Sequence, residues 1–285
     1  MTVDIDIRVR SAAFTDQRQI SNLIHLSPHV HRHLDWRDPL DWIGSPPFLV
    51  LESQRQVTSV LACPPDPPRV AWVRLFANAG RIPIQESWHM LWEAARLELA
   101  GAGRLTAAAI LLQPWYQDLL QSSGFASHQS IVMLEREEQG PLNSSLSAEI
   151  RVRPMLPYDL SAVAELDAAA FEPLWQNSYD ALRRAYPQAV LASVAERDGQ
   201  VIGYQISTRN PRGAHLARLA VQPEVQGGGI GRALLADLVR NAGQRGISRL
   251  TVNTQSDNLA SLALYQRTGF RETGERYPVY QVEIS

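Results

Sequence analysis

The chain contains no lysine: all 27 of its basic residues are arginine, set against 29 acidic residues and seven histidines. The formal charge of −2 gives no basic field for a nucleic-acid backbone and no acidic tail, so a diffuse nucleic-acid role is disfavoured. The missing lysine itself reads as coding bias rather than avoidance of lysine modification. Cys63 is the only cysteine, which excludes an intramolecular disulfide and fits a reducing compartment. No apolar run is long enough to span a bilayer, and Met1 to Arg10 lacks the apolar core of a secretory signal. These absences lead to the expectation of a soluble, cytoplasmic protein with neither membrane nor nucleic acid as partner.

What is present suits ordinary globular domains: 285 residues, 45% hydrophobic and 20% charged, a length that predicts about two domains. Internal repetition agrees. Ile7-Arg8-Val9-Arg10 recurs as Ile150-Arg151-Val152-Arg153, and Gly124-Phe125 recurs as Gly269-Phe270. Between them, Val73-Arg74-Leu75-Phe76 matches Ala217-Arg218-Leu219-Ala220 in the same order. Glu135 to Ser147 is charged, then rich in Gly, Pro, Asn and Ser, and reads as a linker. The division expected is a first domain over 1–136, a linker over 137–148 and a second domain over 149–285.

In the second unit, Ile150 to Arg153 predicts a strand, and Pro157 to Phe171 has helical apolar spacing. Tyr179 to Ala185 predicts a second helix, ending before Pro187. Val190–Ala195 and Val201–Thr208 flank an Asp198-Gly199 hairpin turn, and His215–Val221 is the next strand. Ile230–Ala242 carries an apolar stripe, Leu250–Asn253 is a strand, Leu259–Arg267 a helix, and final strands lie near Phe270–Thr273 and Val279–Glu283. The order βααβββαβαββ predicts an α/β (α+β) fold with a mixed, mostly antiparallel sheet flanked by helices. The first unit repeats it, with strands near Ile7, Phe48–Glu52, Val57–Ala62, Val70–Phe76 and Leu105–Leu112, and helices near Gln85–Leu99 and Trp115–Gln121. Cys63 to Pro68 is a Pro-rich loop.

The stretch richest in chemical meaning is Leu219-Ala220-Val221, a turn, then Gln226-Gly227-Gly228-Gly229-Ile230-Gly231-Arg232. A strand runs into glycines, where side chains are removed and a backbone can approach a ligand closely. The helix behind them points unsatisfied N–H groups and the positive end of its dipole at the turn, an arrangement that binds phosphate. The glycine order and the antiparallel strands before it differ from a dinucleotide fingerprint, and no Gly-Lys-Ser/Thr follows as in a P-loop.

This loop and the later Asn258-Leu259-Ala260-Ser261-Leu262-Ala263-Leu264-Tyr265-Gln266-Arg267-Thr268-Gly269-Phe270 together resemble the GNAT acetyltransferase family, over about Ile150 to Ser285. The whole chain resembles a tandem GNAT protein with a degenerate first unit. The resemblance implies acetyl-CoA as co-substrate and no metal. It implies pyrophosphate contacts from Gln226, Gly227, Gly228, Gly229, Ile230, Gly231 and Arg232, and a pantetheine arm lying along Leu219, Ala220 and Val221. It further implies a thioester carbonyl polarised by the Leu219 N–H, a CoA contact from Asn258, and Tyr265 as general acid. Asn258 equally fits an N-cap, and Tyr265 core packing. The position where related enzymes carry a base holds Asn253; Glu224 and His215 are the nearby candidates, and a water chain serves as well.

The first unit departs from the pattern. Ile82, Gln85, Ser87 and Leu120 stand where Gln226, Gly229, Gly231 and Tyr265 stand in the second, so that half is expected to be catalytically silent. His25, His29, His31 and His33 fit a metal cluster or, as favoured here, a polar loop between two helices. Trp36, Trp42, Trp88, Trp92 and Trp115 read as core or interface; Trp175, Tyr179 and Tyr186 as acceptor-pocket lining or core. The expected activity is N-acetyl transfer to a small amine or a peptide N-terminus, in a monomer or homodimer. The alternatives are a mycothiol-synthase-like acetyltransferase, which shares the tandem arrangement, and a non-catalytic acyl-CoA sensor.

Overall fold

The computed structural model describes residues 7–137, 140–144, 146–210 and 213–285. The first residues of the strand-like N-terminus and linker positions 138, 139 and 145 lie outside them. Two compact units result: Met1–His128 with Pro278–Ser285, and Gln129–Tyr277.

Unit 1 contains β1 (Ile7–Ser11), α1 (Gln17–Leu26), β2 (His29–Arg32), β3 (Phe48–Ser53), β4 (Gln56–Ala62), β5 (Val70–Trp72), β6 (Leu75–Asn78), α2 (Ile84–Gly101), β7 (Leu105–Ile110) and α3 (Tyr116–Ser122). Strands β1, β3, β4, β6 and β2 lie side by side, all antiparallel, while β5 pairs parallel with β7. Alternation splits the core into two layers. Leu49, Leu51 and Leu61 face α2 with Trp88, Leu91 and Trp92. Val50, Val60 and Ala62 face α1 with Ile20 and Leu23. The expected single strand Val70–Phe76 is broken at Val73-Arg74 into β5 and β6.

The chain then enters β8 (Ala126–Arg136). Unit 2 continues with β9 (Ile150–Pro154), α4 (Leu160–Ala170), α5 (Tyr179–Ala185), β10 (Ala189–Arg197), β11 (Gln200–Asn210), β12 (Gly213–Val221), α6 (Ile230–Gln244), β13 (Leu250–Gln255), α7 (Leu259–Arg267) and β14 (Arg271–Ile284). Its strand order is β8-β13-β12-β11-β10-β9, antiparallel except for β12 with β13. The apolar stripe of α6 (Leu234, Leu235, Leu238) packs on this sheet, and all three residues are fully buried. The Asp198-Gly199 turn has both residues at positive φ (52° and 76°), as a two-residue hairpin of this hand requires.

The two units share one local arrangement. Arg10 bridges Asp16 (2.6 Å) and Glu52 (2.6 Å), and Arg153 bridges Asp159 (2.7 Å) and Glu196 (2.7 Å). Each aspartate also accepts from the backbone N–H three residues earlier, Ala13 or Leu156, at 2.8 Å. The same cluster fixes the same strand-to-helix corner twice.

Two expectations change. Glu135 and Arg136 are not linker but the end of β8, paired with Thr251 and Leu250 of β13. The two final strands are one, β14, whose Val279–Ile284 half pairs with Ile110–Leu105 of β7 in unit 1. Each unit is thus closed by a strand that follows the other unit in sequence. An apolar strand advertises burial but not its partner, so the sequence pattern could not tell these pairings apart.

Candidate functional site

The site begins with a bulge. Along β11 and β12, Ser207 faces Leu216 and Ile206 faces Arg218, which leaves Ala217 as an extra residue. A bulge kinks the strand and re-aims the side chains beyond it. Strand β12 pairs with β13 only over Ala214–Leu216 with Leu250–Val252. Beyond that point Asn253–Gln255 stays paired with β8, whereas Ala217–Val221 has β11 on one side and, among the described residues, no strand on the other. The diverging strands leave an open backbone edge at Leu219, Ala220 and Val221, and such an edge demands partners. One expected free group is taken: the Val221 carbonyl accepts from Gln226 Nε2 at 3.1 Å.

The edge leads through a short turn, Pro223–Val225, into the glycines. Gly227 and Gly229 have φ of +80° and +81°, the left-handed region where L side chains are strained. Gly229 is the N-cap of α6. Gly231 serves packing instead: a Cβ there would meet Leu264 Cδ2 at 3.2 Å and Leu219 and Val221 at 3.8 Å. Within the described residues, the backbone N–H groups of Gly227, Gly229, Ile230, Gly231 and Arg232 have no acceptor, while that of Gly228 reaches the Val225 carbonyl at 3.4 Å. Five free donors at the positive end of a 15-residue helix make an anion cradle. Arg232 is exposed and its Nε donates to the Asn143 carbonyl (2.8 Å), which turns part of its fork away from the cradle.

Asn258 caps α7: its Oδ1 accepts from the Ser261 N–H at 3.0 Å. On the same helix, Tyr265 is 4% exposed and packs on Phe270 with ring centroids 5.7 Å apart. Its hydroxyl makes no hydrogen bond within the described residues. Burial pushes its pKa up, with the nearby Arg218 charge opposing, so the phenol holds its proton throughout the neutral range.

The sequence reading missed a buried ion pair beside this edge. Arg218 Nε and Nη2 donate to Asp167 of α4 at 2.6 and 2.8 Å, and Nη2 also donates to the Trp175 carbonyl at 2.6 Å. The Tyr204 hydroxyl donates to Asp167, and the Arg218 guanidinium lies 3.5 Å from the Phe171 ring centroid. Asp167 also accepts from the Asn177 N–H at 2.7 Å. Arg218 therefore ties the strand carrying Leu219 to the segment joining α4 and α5. The available signal was a lone arginine in the apolar run Leu216-Ala217-Arg218-Leu219-Ala220-Val221, repeated at Arg74.

The remaining candidates separate. His215 is hydrogen-bonded to Thr251 Oγ1 (2.9 Å), and burial lowers its pKa. Asn253, whose side chain opposes the lowering of the His215 pKa, lies on β13, whereas Glu224 is exposed in the turn. Trp175 is held through its carbonyl by Arg218, Tyr186 donates to the Met155 carbonyl (3.1 Å), and Tyr179 is exposed. In unit 1 the histidines do not form a polar loop. His29–Arg32 is strand β2, with His31 2% exposed and stacked on Tyr116, and His33 stacked on Trp72. Strand pairing and the Tyr116 ring bury His31, His29 and His33 are half-buried, and His25 is exposed on α1. Among the described residues no group of three or more His, Cys, Asp or Glu could hold a metal ion.

Residues 160–270 match the model of the acetyltransferase (GNAT) family. The mycothiol acetyltransferase of Kocuria rhizophila is 28% identical over 204 residues, 62% of this chain and 65% of that protein. The ribosomal protein bS18-alanine N-acetyltransferase of Escherichia coli K12 is 33% identical over 84 residues, 30% of this chain and 57% of that protein. The chain thus spans less than two thirds of the curated relatives it matches. A tandem GNAT protein from the clavulanic acid biosynthesis pathway superposes with a TM-score of 0.64 at 17% identity, over 98% of this chain and 99% of that one, which shows a shared fold.

Proposed function

We propose that this chain, which carries a GNAT acetyltransferase domain over residues 160–270, moves an acetyl group from acetyl-CoA to a primary amine. One observation carries the reading: the unpaired edge of β12 runs directly into a turn lined with free N–H donors. A thioester arm lying along Leu219, Ala220 and Val221 completes the sheet ladder as an added strand. Its pyrophosphate then meets Gly227, Gly229, Ile230, Gly231 and Arg232. Asn258 contacts the arm while its Oδ1 caps α7.

The chemistry follows from what the edge presents. The Leu219 N–H, fixed in the backbone, polarises the thioester carbonyl and stabilises the oxyanion that forms as the amine adds. The C–N bond forms, the C–S bond breaks, and the departing thiolate takes a proton from the Tyr265 hydroxyl. Because burial keeps Tyr265 protonated, the acid is in its working form at neutral pH. The amine attacks as the free base, its proton leaves through water, and the Tyr265 phenolate regains a proton from solvent. The acceptor is a small-molecule amine or a peptide N-terminus; the relatives are named for mycothiol and for an alanine of ribosomal protein bS18, and the mycothiol acetyltransferases match the longer part of this chain.

The test has two parts. Calorimetry with acetyl-CoA should give binding to the wild type and none to Gly229→Val, which forces a β-branched side chain into the left-handed region. Thiol release should then rise with one member of an amine and peptide panel. Retained binding in Gly229→Val removes the cradle assignment. Tight binding with no acceptor in any class favours an acyl-CoA sensor instead.

A further inference from the structure

We infer that unit 1 carries its own chain in place of a thioester ligand: strand β2 occupies the edge of β6 that corresponds to the open edge of β12, so each chain takes up one acetyl-CoA. The inference rests on the reading of the β12 edge given above. The correspondence follows from the repeat, in which Arg74-Leu75 matches Arg218-Leu219. Both strands begin with a parallel pairing, Val70–Trp72 with Thr106–Ala108 and Ala214–Leu216 with Leu250–Val252, and both then lose that partner. In unit 2 the edge beyond has no strand partner among the described residues. In unit 1 it is filled, with His29 opposite Asn78, Val30 opposite Ala77, His31 opposite Phe76 and Arg32 opposite Leu75. The His33 N–H extends the ladder to the Arg74 carbonyl at 3.0 Å.

Side chains lock the plug in place. His31 Nε2 donates to the Val73 carbonyl at 3.1 Å, in the gap between β5 and β6 where the strands part. The His31 ring stacks on Tyr116 (4.4 Å) and the His33 ring on Trp72 (4.9 Å). The turn that would cradle phosphate is also cross-linked by Asn78. Asn78 Nδ2 donates to Ser87 Oγ (2.8 Å), Ser59 Oγ (3.0 Å) and the Ile82 carbonyl (3.2 Å), while its Oδ1 accepts from the Gly80 N–H (2.7 Å). Ser87 and Ile82 hold the positions of Gly231 and Gln226, and α2 starts after Pro83 rather than after a glycine in the left-handed conformation. The strand edge a ligand would pair with is already paired by the chain, and the turn that follows it lacks the left-handed glycines of unit 2.

The experiment is a calorimetric titration of the full chain with acetyl-CoA, joined to hydrogen exchange of peptides covering Leu75–Asn78 and Leu219–Val221. The expected stoichiometry is one per chain. Gly229→Val, shown folded by circular dichroism, should lose all of the binding. Leu75–Asn78 should exchange slowly without ligand and show no change with it, while Leu219–Val221 slows on binding by tenfold or more. A stoichiometry of two, binding that persists in Gly229→Val, or slowing at Leu75–Asn78 on adding acetyl-CoA overturns the inference. If acetyl-CoA does not bind at all, the proposed function fails, and exchange of the free protein still decides: rapid exchange at Leu75–Asn78 contradicts the plug, and slow exchange upholds it.

Discussion

Glycine, asparagine and tyrosine at Gly229, Asn258 and Tyr265 were readable in the sequence because each acts within a few residues of its neighbours in the chain. A left-handed N-cap, a capping side chain and a helix residue before Gly-Phe are local matters. Arg218, Asp167 and Tyr204 were not, because their contact joins residues 51 and 37 positions apart. Asp167 has no exposed surface and Arg218 has little, so neither is solvated by water. Asp167→Asn leaves a buried guanidinium without its counter-charge, and we expect a loss of about 3–5 kcal/mol in urea unfolding. The charge-free pair Asp167→Leu with Arg218→Met should recover much of it, because breaking one partner costs more than removing both. If Asp167→Asn is neutral, the pair does not hold the α4–α5 segment.

At the scale of elements, most helices and the Asp198-Gly199 hairpin were legible, whereas α1 (Gln17–Leu26) and the strand partners were not. The α5 and α7 boundaries, Tyr179–Ala185 and Leu259–Arg267, came out as expected, since caps and periodicity mark them. Strand β2 did not, because three histidines in five residues look polar until stacking and strand pairing bury His31 and half-bury His29 and His33. Burial holds the His31 pKa at about 4 and puts His33 well below its ordinary value, with the Arg74 charge adding to the effect on His33. A histidine depressed in the folded state stabilises fully above its unfolded pKa and is lost as pH falls toward the folded value. Between pH 6.5 and 4, His31 alone should remove about 3 kcal/mol from the stability of unit 1. His31→Gln should flatten that dependence in urea midpoints taken from pH 7 to 5; an unchanged slope would show that the ring is not held neutral. In unit 2, Leu238→Ala on the buried stripe of α6 should cost about 2–5 kcal/mol by the same measurement.

Over the whole molecule, the repeat was legible and the exchange of closing strands was not. Pro278–Ser285 belongs to unit 1, where Tyr280 and Ile284 are buried in one cluster with Trp88, Trp92 and Leu105. Removing these residues should therefore loosen α2 and β7, seen as faster hydrogen exchange over Ile84–Ile110, rather than the nearer-in-sequence helix α7. The Arg10 and Arg153 clusters give both units the same corner, whereas among the described residues the open strand edge and the glycine turn lie in the second. In the proposed function, acetyl transfer takes place at that edge with Tyr265 as the proton donor. Steady-state thiol release by Tyr265→Phe, with acetyl-CoA affinity measured on the same protein, tests this most directly. We expect kcat to fall on the order of 100-fold with affinity nearly unchanged. An unchanged kcat would remove Tyr265 from the reaction and contradict the account.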